Sequence, residues 1–215
     1  MDIDPYVLRI GAIRFIILVC SLVLHEWGHA YAADRLGDDT PRREGRVTLN
    51  PLAHIDIIGT IIIPLLGAAG FFGSFAMIGW AKPVYTNPAN FRRGYLDQSI
   101  VTIAGPAMNI LLALFGTIGV VISGRLGWPT VDLFGMVLTL NVALTVFNLL
   151  PIPPLDGSKF LIYWGGMREE TYVRVAMYGS FALLLLINVP VFRDLVMRLI
   201  LWGHIPFLWL IQRLT

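Results

Sequence analysis

The stretch "CSLVLHEWGHAYAAD", residues 20–34, places two histidines and a glutamate inside a segment apolar enough to cross a membrane. Ionisable side chains are expensive to bury in hydrocarbon, so a cluster of them at membrane depth indicates a functional site. The stretch therefore predicts both a membrane-spanning helix and a site built on one face of that helix.

The composition is that of an integral membrane protein. Of 215 residues, 56% are hydrophobic and 14% are charged, whereas soluble domains are about a quarter charged. The net charge of +2 comes from scattered basic residues, which argues against a nucleic-acid partner. The single cysteine, Cys20, excludes an intramolecular disulfide and a cysteine-based zinc knuckle.

Apolar runs of about the length that a membrane helix needs recur along the chain. They predict an all-α polytopic membrane protein with five to six hydrophobic segments. The second run is interrupted by glycines and Pro64, which favours a broken or re-entrant segment. The last run contains Arg198 and His204 and fits an interfacial helix as well as a crossing. The runs cover residues 8–33, 55–80, 99–123, 131–150, 172–189 and 195–210.

Basic residues on both sides of the second run predict its orientation. Residues 34–46 include four arginines, and Lys82, Arg92 and Arg93 precede the third run. Because short cytoplasmic loops are enriched in Lys and Arg, both segments are expected on the cytoplasmic side. The second run must then enter and leave the membrane by the same face.

The motif HEWGH has the spacing of a zinc-dependent hydrolase. On a helix, His25 and His29 project from the same face and can bind one metal ion. Glu26 lies beside them, where a glutamate can take a proton from water that zinc has made more acidic. A chance match is common for this pattern in soluble helices, but unpaired His and Glu are costly in an apolar helix.

A catalytic zinc site also needs a third protein ligand. Ala32 and Arg35 occupy the positions where a metzincin would continue its motif, so that class is excluded. The candidates are Asp56 and Asp156, which both adjoin apolar runs. We favour Asp156, because the prolines of "NLLPIPPLDG" end the preceding helix and form a rigid segment that can aim its carboxylate. The alternative is that Asp156 begins a cytoplasmic loop.

Five motifs together resemble the site-2 protease family of intramembrane zinc metalloproteases: "HEWGH" (25–29), "NPLAHIDIIGT" (50–60), "GWAKPV" (79–84), "AGPAMN" (104–109) and "NLLPIPPLDG" (148–157). The resemblance implies a three-helix catalytic core around a zinc ion bound by His25, His29 and Asp156. It further implies that Glu26 is the general base and that the site lies near the cytoplasmic face.

The resemblance covers about residues 8–157 and leaves residues 158–215 as accessory helices of a single membrane-embedded peptidase domain. No insertion long enough for a PDZ module or a nucleotide-sensing domain is visible. We therefore expect a short form of the family, in a prokaryotic plasma membrane.

The same resemblance suggests roles for further polar residues. Asn148 matches a family asparagine that contacts the substrate or the developing oxyanion. Its alternative role is to form hydrogen bonds with backbone groups that the following prolines leave without a partner. Asn109 is expected to orient the site from behind the ligands. His54 and Asp56 are expected to form a polar lid, shuttle protons or cap the interface. Lys82 belongs to a segment that can pair with an extended substrate.

The sequence thus predicts an endopeptidase with one zinc ion per chain that hydrolyses peptide bonds within or next to transmembrane segments. Its expected partners are a transmembrane protein substrate and the lipid bilayer, with a homo-oligomer allowed. The first alternative is a non-hydrolytic scaffold or chaperone for membrane helices, which the intact HExxH disfavours. The second is a zinc transporter, which needs more metal-binding positions than His54 and His204 supply. Iron and cobalt are the alternative metals.

Overall fold

The computed structural model describes residues 5–68 and 79–215, and the regular elements in these ranges are all helical. Short 3-10 turns cover Pro51–Ala53, Pro88–Asn90 and Asp156–Lys159, and a π-helical turn covers Ile57–Ile62. The α-helices in chain order are α1 (Pro5–Arg35), α2 (Thr40–Arg43), α3 (Ile63–Ala68), α4 (Tyr95–Leu126), α5 (Val131–Asn148), α6 (Phe160–Tyr163), α7 (Glu169–Leu186) and α8 (Pro190–Leu214).

Four helices in the described part of the chain are long and apolar enough to cross a membrane, namely α1, α4, α5 and α8. This confirms the predicted all-α polytopic class. The run 172–189 forms α7, which does not join this group because Glu169, Glu170 and Arg174 make its first turns polar. The last run extends to 25 residues in α8, a length that fits a crossing.

Helix α4 lies between α1 and α5 and packs extensively on both. Small residues allow the close approach: a Cβ atom on Gly28 of α1 would lie 2.8 Å from the carbonyl oxygen of Ala104 on α4. A Cβ atom on Gly116 of α4 would lie 2.7 Å from the backbone nitrogen of Leu138 on α5. Backbone contact of this kind is the usual basis of helix packing in membranes, where the hydrophobic effect does not drive association.

The two ends of the second apolar run lie side by side. The backbone N–H of Trp80 donates to the carbonyl of Gly59 at 3.1 Å, and the N–H of Lys82 donates to the carbonyl of His54 at 2.8 Å. The Thr60 hydroxyl also donates to the carbonyl of Trp80, at 2.8 Å. The two described ends of the run therefore meet, which agrees with the re-entrant segment that the charge pattern favours. Its glycines at 70 and 73 lie outside the described residues.

Asp38 joins the basic loop after α1 to the segment before α4. Its buried carboxylate accepts hydrogen bonds from the Thr40 hydroxyl at 2.6 Å, the Asn87 backbone N–H at 2.7 Å and the Asn90 amide at 2.8 Å. Burial alone would raise the pKa of Asp38, but these bonds and one from the Thr40 N–H outweigh it and hold this pKa below its usual value. The Asp38 carboxylate thus holds the loop after α1 against the segment that precedes α4.

Candidate metal centre

Helix α1 brings two imidazoles to one point. His25 and His29 lie four residues apart on the same face of the helix, and their Nε2 atoms are 3.1 Å apart. Both side chains are buried. The spacing of HEWGH therefore produces the pair of nitrogen donors that the sequence predicted.

Asp156 completes a group of three. The residue begins the 3-10 turn Asp156–Lys159, after the proline-rich segment that ends α5. Its Oδ2 atom lies 3.0 Å from Nε2 of His25 and 3.1 Å from Nε2 of His29. The structure thus places Asp156, and not Asp56, beside the imidazoles, in a buried cluster that could hold a metal ion.

A relay of side-chain amides fixes the tautomer of His25. The carbonyl of Val137 can only accept, so the Asn141 amide nitrogen faces it at 2.9 Å and the Asn141 oxygen faces Asn109. The Asn109 amide nitrogen therefore donates to Asn141 at 3.0 Å, and its oxygen accepts from Nδ1 of His25 at 2.6 Å. His25 thus carries its proton on Nδ1.

His29 has the same tautomer for a simpler reason, because its Nδ1 donates to the backbone carbonyl of Val101 at 2.7 Å. In this tautomer a neutral imidazole has its lone pair on Nε2, so both histidines can offer an Nε2 lone pair beside the Asp156 carboxylate. A bound cation satisfies this arrangement. Ligand atoms of a tetrahedral zinc site lie about 3.3 Å apart, close to the separations of 3.0–3.1 Å observed here. The donor set therefore fits zinc.

Two glycines make room for the cluster. A Cβ atom on Gly105 of α4 would lie 2.3 Å from Nε2 of His29 and 2.7 Å from Nε2 of His25. A Cβ atom on Gly157 would lie 2.2 Å from the carbonyl oxygen of Leu149, so the backbone behind Asp156 leaves no room for a side chain.

Lys159 makes a contact with Asp156 that was not predicted from the sequence. Its ammonium nitrogen lies 3.0 Å from Oδ1 of Asp156, the carboxylate oxygen that faces away from the imidazoles. Asn141 was missed as well. An isolated asparagine in an apolar helix and a lysine three residues after a candidate ligand were the available signals.

A cavity of about 890 Å³ opens onto the cluster. The half-buried Glu26 lines it together with Asn148. The Asn148 amide donates to the carbonyl of Leu144 at 3.0 Å, so it satisfies the last turn of α5 and also borders the cavity. A glutamate and an asparagine amide thus share one cavity with the three donor atoms.

Other predicted polar residues lie elsewhere. His54 is buried, with Nε2 2.8 Å from the carbonyl of Thr48, and it does not line the cavity. Asp56 caps the π-helical turn by accepting from the N–H of Gly59 at 2.7 Å. The Lys82 side chain is exposed, whereas its neighbours Ala81 and Pro83 line the cavity. The segment, and not the lysine side chain, therefore reaches the site.

Known proteins are similar to this chain along most of its length. The family model described as peptidase family M50 matches residues 116–187, a range that contains Asn148 and Asp156. YwhC of Bacillus subtilis, named as a candidate zinc metalloprotease, is 35% identical over 195 residues, which is 86% of this chain and 84% of the relative.

Two mycobacterial proteins called Rip2, also named as candidate zinc metalloproteases, are similar over somewhat less of their length. The protein from Mycolicibacterium smegmatis is 30% identical, over 85% of this chain and 69% of the relative. The protein from Mycobacterium tuberculosis (H37Rv) is 33% identical, over 78% of this chain and 62% of the relative. No solved structure matches at comparable significance. The chain therefore belongs to peptidase family M50, the site-2 protease family, and is a membrane metalloprotease of that family.

Proposed function

We propose that this protein is an intramembrane endopeptidase that holds one zinc ion per chain with His25, His29 and Asp156. The observation that carries the proposal is the convergence of three buried donor atoms, 3.0–3.1 Å apart, at the wall of a cavity that Glu26 also lines. The substrate class is a transmembrane segment of another protein.

Zinc, when bound, acts as a Lewis acid towards water and the scissile carbonyl. Glu26 accepts the proton of the attacking water and returns it to the leaving amine. The spare N–H of the Asn148 amide donates to the oxygen on which negative charge develops, since its other N–H is held by Leu144. Asn109 and Val101 keep the imidazoles in the tautomer that leaves both Nε2 atoms free.

The depth of the cluster along α1 supports cleavage within the membrane. His25 lies ten residues before Arg35, the end of the helix, which corresponds to roughly 15 Å along its axis. That is about half the thickness of a hydrocarbon core. Such a site reaches bonds that soluble proteases do not.

The orientation follows from the side on which α1 ends. Ala33, near the end of α1, packs with Phe91 and Val101, so α1 ends where α4 begins. The basic segment 34–46 follows the end of α1, and the basic segment 82–93 precedes the start of α4. Since such segments are retained in the cytoplasm, we place the opening of the site near the cytoplasmic face. The bacterial relatives support a prokaryotic plasma membrane.

The segment after Gly79 is suited to bind substrate as an added strand. Residues 79–87 have no helical structure, and several of them line the cavity. The backbone N–H groups of Val84 and Tyr85 have no hydrogen-bond partner among the described residues. A locally unwound substrate segment can pair with them and so present its scissile carbonyl.

The chain acts as one peptidase domain in this proposal. Residues after Gly157 add to the core of residues 8–157, because Lys159, Tyr163 and Tyr172 also line the cavity. The helices that we expected to be accessory therefore contribute to the wall of the site.

The test compares wild type with Glu26→Gln, each purified in detergent, on a panel of single-span reporter proteins, with bound metal measured in both. We expect cleavage by wild type alone and about one zinc per chain in both proteins, since Glu26 is not a ligand. Equal cleavage by the two proteins would contradict the role of Glu26. Zinc binding without cleavage of any reporter would favour the non-hydrolytic scaffold.

A further inference from the structure

We propose that Lys159 is a positioning residue of the metal centre, which holds the Asp156 carboxylate so that a single oxygen faces the metal. The inference rests on the zinc site of the proposed function and adds a residue that its mechanism does not use. Lys159 acts through Asp156, by an ion pair on the side of the carboxylate opposite the histidines.

The two carboxylate oxygens of Asp156 have different partners. Oδ2 of Asp156 lies 3.0 and 3.1 Å from the two imidazole nitrogens, whereas Oδ1 lies 3.0 Å from Nζ of Lys159. A partial rotation of the carboxylate, of the kind that would bring both oxygens towards the metal, would move Oδ1 away from Nζ of Lys159 and lengthen this contact. The ion pair therefore opposes that rotation.

The backbone of the turn brings Asp156 and Lys159 together. Asp156 and Lys159 are the first and last residues of one 3-10 turn, in which side chains three residues apart lie on the same side. Ser158 fixes the turn, because its hydroxyl donates to the carbonyl of Leu155 at 2.5 Å and lies 3.1 Å from the Tyr172 hydroxyl of α7. Gly157 closes tightly against Leu149.

The ion pair between Asp156 and Lys159 matters for stability because the Asp156 carboxylate is buried. The Asp156 side chain is 9% exposed and the Lys159 side chain 34%, so the carboxylate is shielded from water while the ammonium group keeps access to the cavity. An exposed ion pair would contribute little, but a buried carboxylate left without a partner is costly. Lysine also offsets the negative charge of Asp156, and its ammonium group offers no further ligand atom.

A carboxylate held by one oxygen matters for the reaction. A catalytic zinc site has three protein ligands and keeps a position open for water or substrate. A carboxylate that is free to turn can bind with both oxygens and occupy the open position. Lys159 thus preserves the coordination that the hydrolysis requires.

The experiment compares wild type with Lys159→Met and Lys159→Arg. Met retains the length and apolar stem of the side chain but removes its charge, whereas Arg restores a donor. Zinc affinity is measured by competition with a chromophoric chelator, and coordination is followed by the visible absorption of the cobalt-substituted protein. We expect Lys159→Met to weaken zinc binding about 10- to 100-fold and to change the cobalt spectrum, as losses of outer partners of metal ligands do. Lys159→Arg should recover most of the affinity.

The chain offers a matched control, because Lys82 is its other lysine. The side chain of Lys82 is exposed and does not line the cavity, so Lys82→Met should leave zinc affinity and the cobalt spectrum unchanged. Thermal unfolding in detergent checks that each variant is folded. Wild-type affinity and spectrum in Lys159→Met would overturn the assignment of Lys159. Absence of zinc binding by wild type would overturn the proposed function itself.

Discussion

Gly105 and His29 are in direct contact across the interface of α4 and α1. A Cβ atom on Gly105 would lie 2.3 Å from Nε2 of His29, closer than real Cβ atoms approach any neighbour. The backbone of α4 therefore forms one wall of the candidate metal centre. The two imidazoles can occupy their positions only because residue 105 has no side chain.

Gly105→Ala should accordingly disable the metal centre. The added methyl group must displace either the histidines or α4, and overpacking of this kind costs about 1–3 kcal/mol. We expect zinc affinity and cleavage to fall together. Gly124→Ala on the same helix is the control, since a Cβ atom there would meet nothing within 4 Å. Normal zinc affinity in Gly105→Ala would contradict the observed packing.

The amide relay predicts a pattern of coupled effects. Asn109→Ala should lower zinc affinity about 10- to 100-fold, because Nδ1 of His25 loses its acceptor. Asn141→Ala should cause a smaller loss, since it acts through Asn109. The double variant should be no worse than Asn109→Ala alone. Asn188→Ala, which removes an exposed amide that donates to the carbonyl of Leu184 near the end of α7, is the control. Additive losses in the double variant would show that the two amides act separately.

Thr60→Val should impair cleavage more than zinc binding. The Thr60 hydroxyl donates to the carbonyl of Trp80 and so anchors the segment that borders the cavity. Removing it costs about 1–3 kcal/mol of local stability if the carbonyl stays buried and unpaired. Thr117→Val is the control, because that hydroxyl donates to the carbonyl of Ala113 within α4. Kinetics on a reporter and zinc titration together measure the difference. A proportional loss of zinc would argue against a role for this segment in substrate binding.

Asp38 should make stability depend on pH at the acid end. Its pKa in the folded protein lies below the unfolded value of about 3.9. The stabilisation of the fold by Asp38 is therefore complete at pH values above the pKa of the unfolded state. It is lost as the pH falls through the pKa of the folded state. Asp38→Asn should lower the unfolding temperature at neutral pH and reduce the further loss on acidification.

The measurement is thermal unfolding in detergent from neutral to acid pH. Asp39→Asn is the control, since Asp39 is half exposed and pairs with the exposed Arg43, an arrangement that contributes little. Parallel pH curves for wild type and Asp38→Asn would show that the hydrogen bonds to Asp38 do not couple its ionisation to folding.

The sequence predicted those parts of the site that depend on local geometry. The four-residue spacing of His25 and His29 is a property of any α-helix, so their convergence could be read from HEWGH. The prolines before Asp156 showed where α5 must end. The meeting of the two ends of the second apolar run agrees with the basic residues that flank it on both sides.

The remaining contacts depend on how helices pack, which a single sequence does not specify. Asn141 reaches the site only because α5 packs closely on α4, and Lys159 reaches Asp156 only because a 3-10 turn forms there. His54 and Asp56 illustrate the opposite case. Polar residues near a recognisable motif suggested a role in the site, but the side chain of Asp56 caps a local turn and His54 bonds to the nearby backbone.

The position of the cut shows most directly whether hydrolysis occurs within a transmembrane segment. Wild type and Glu26→Gln are reconstituted into vesicles with a single-span reporter, and the masses of the fragments are determined with and without a zinc chelator. We predict cleavage inside the hydrophobic stretch of the reporter, by wild type only, that stops when zinc is removed. Cuts confined to the soluble flanks of the reporter would contradict intramembrane hydrolysis, and equal cuts by Glu26→Gln would contradict the role of Glu26 as the base.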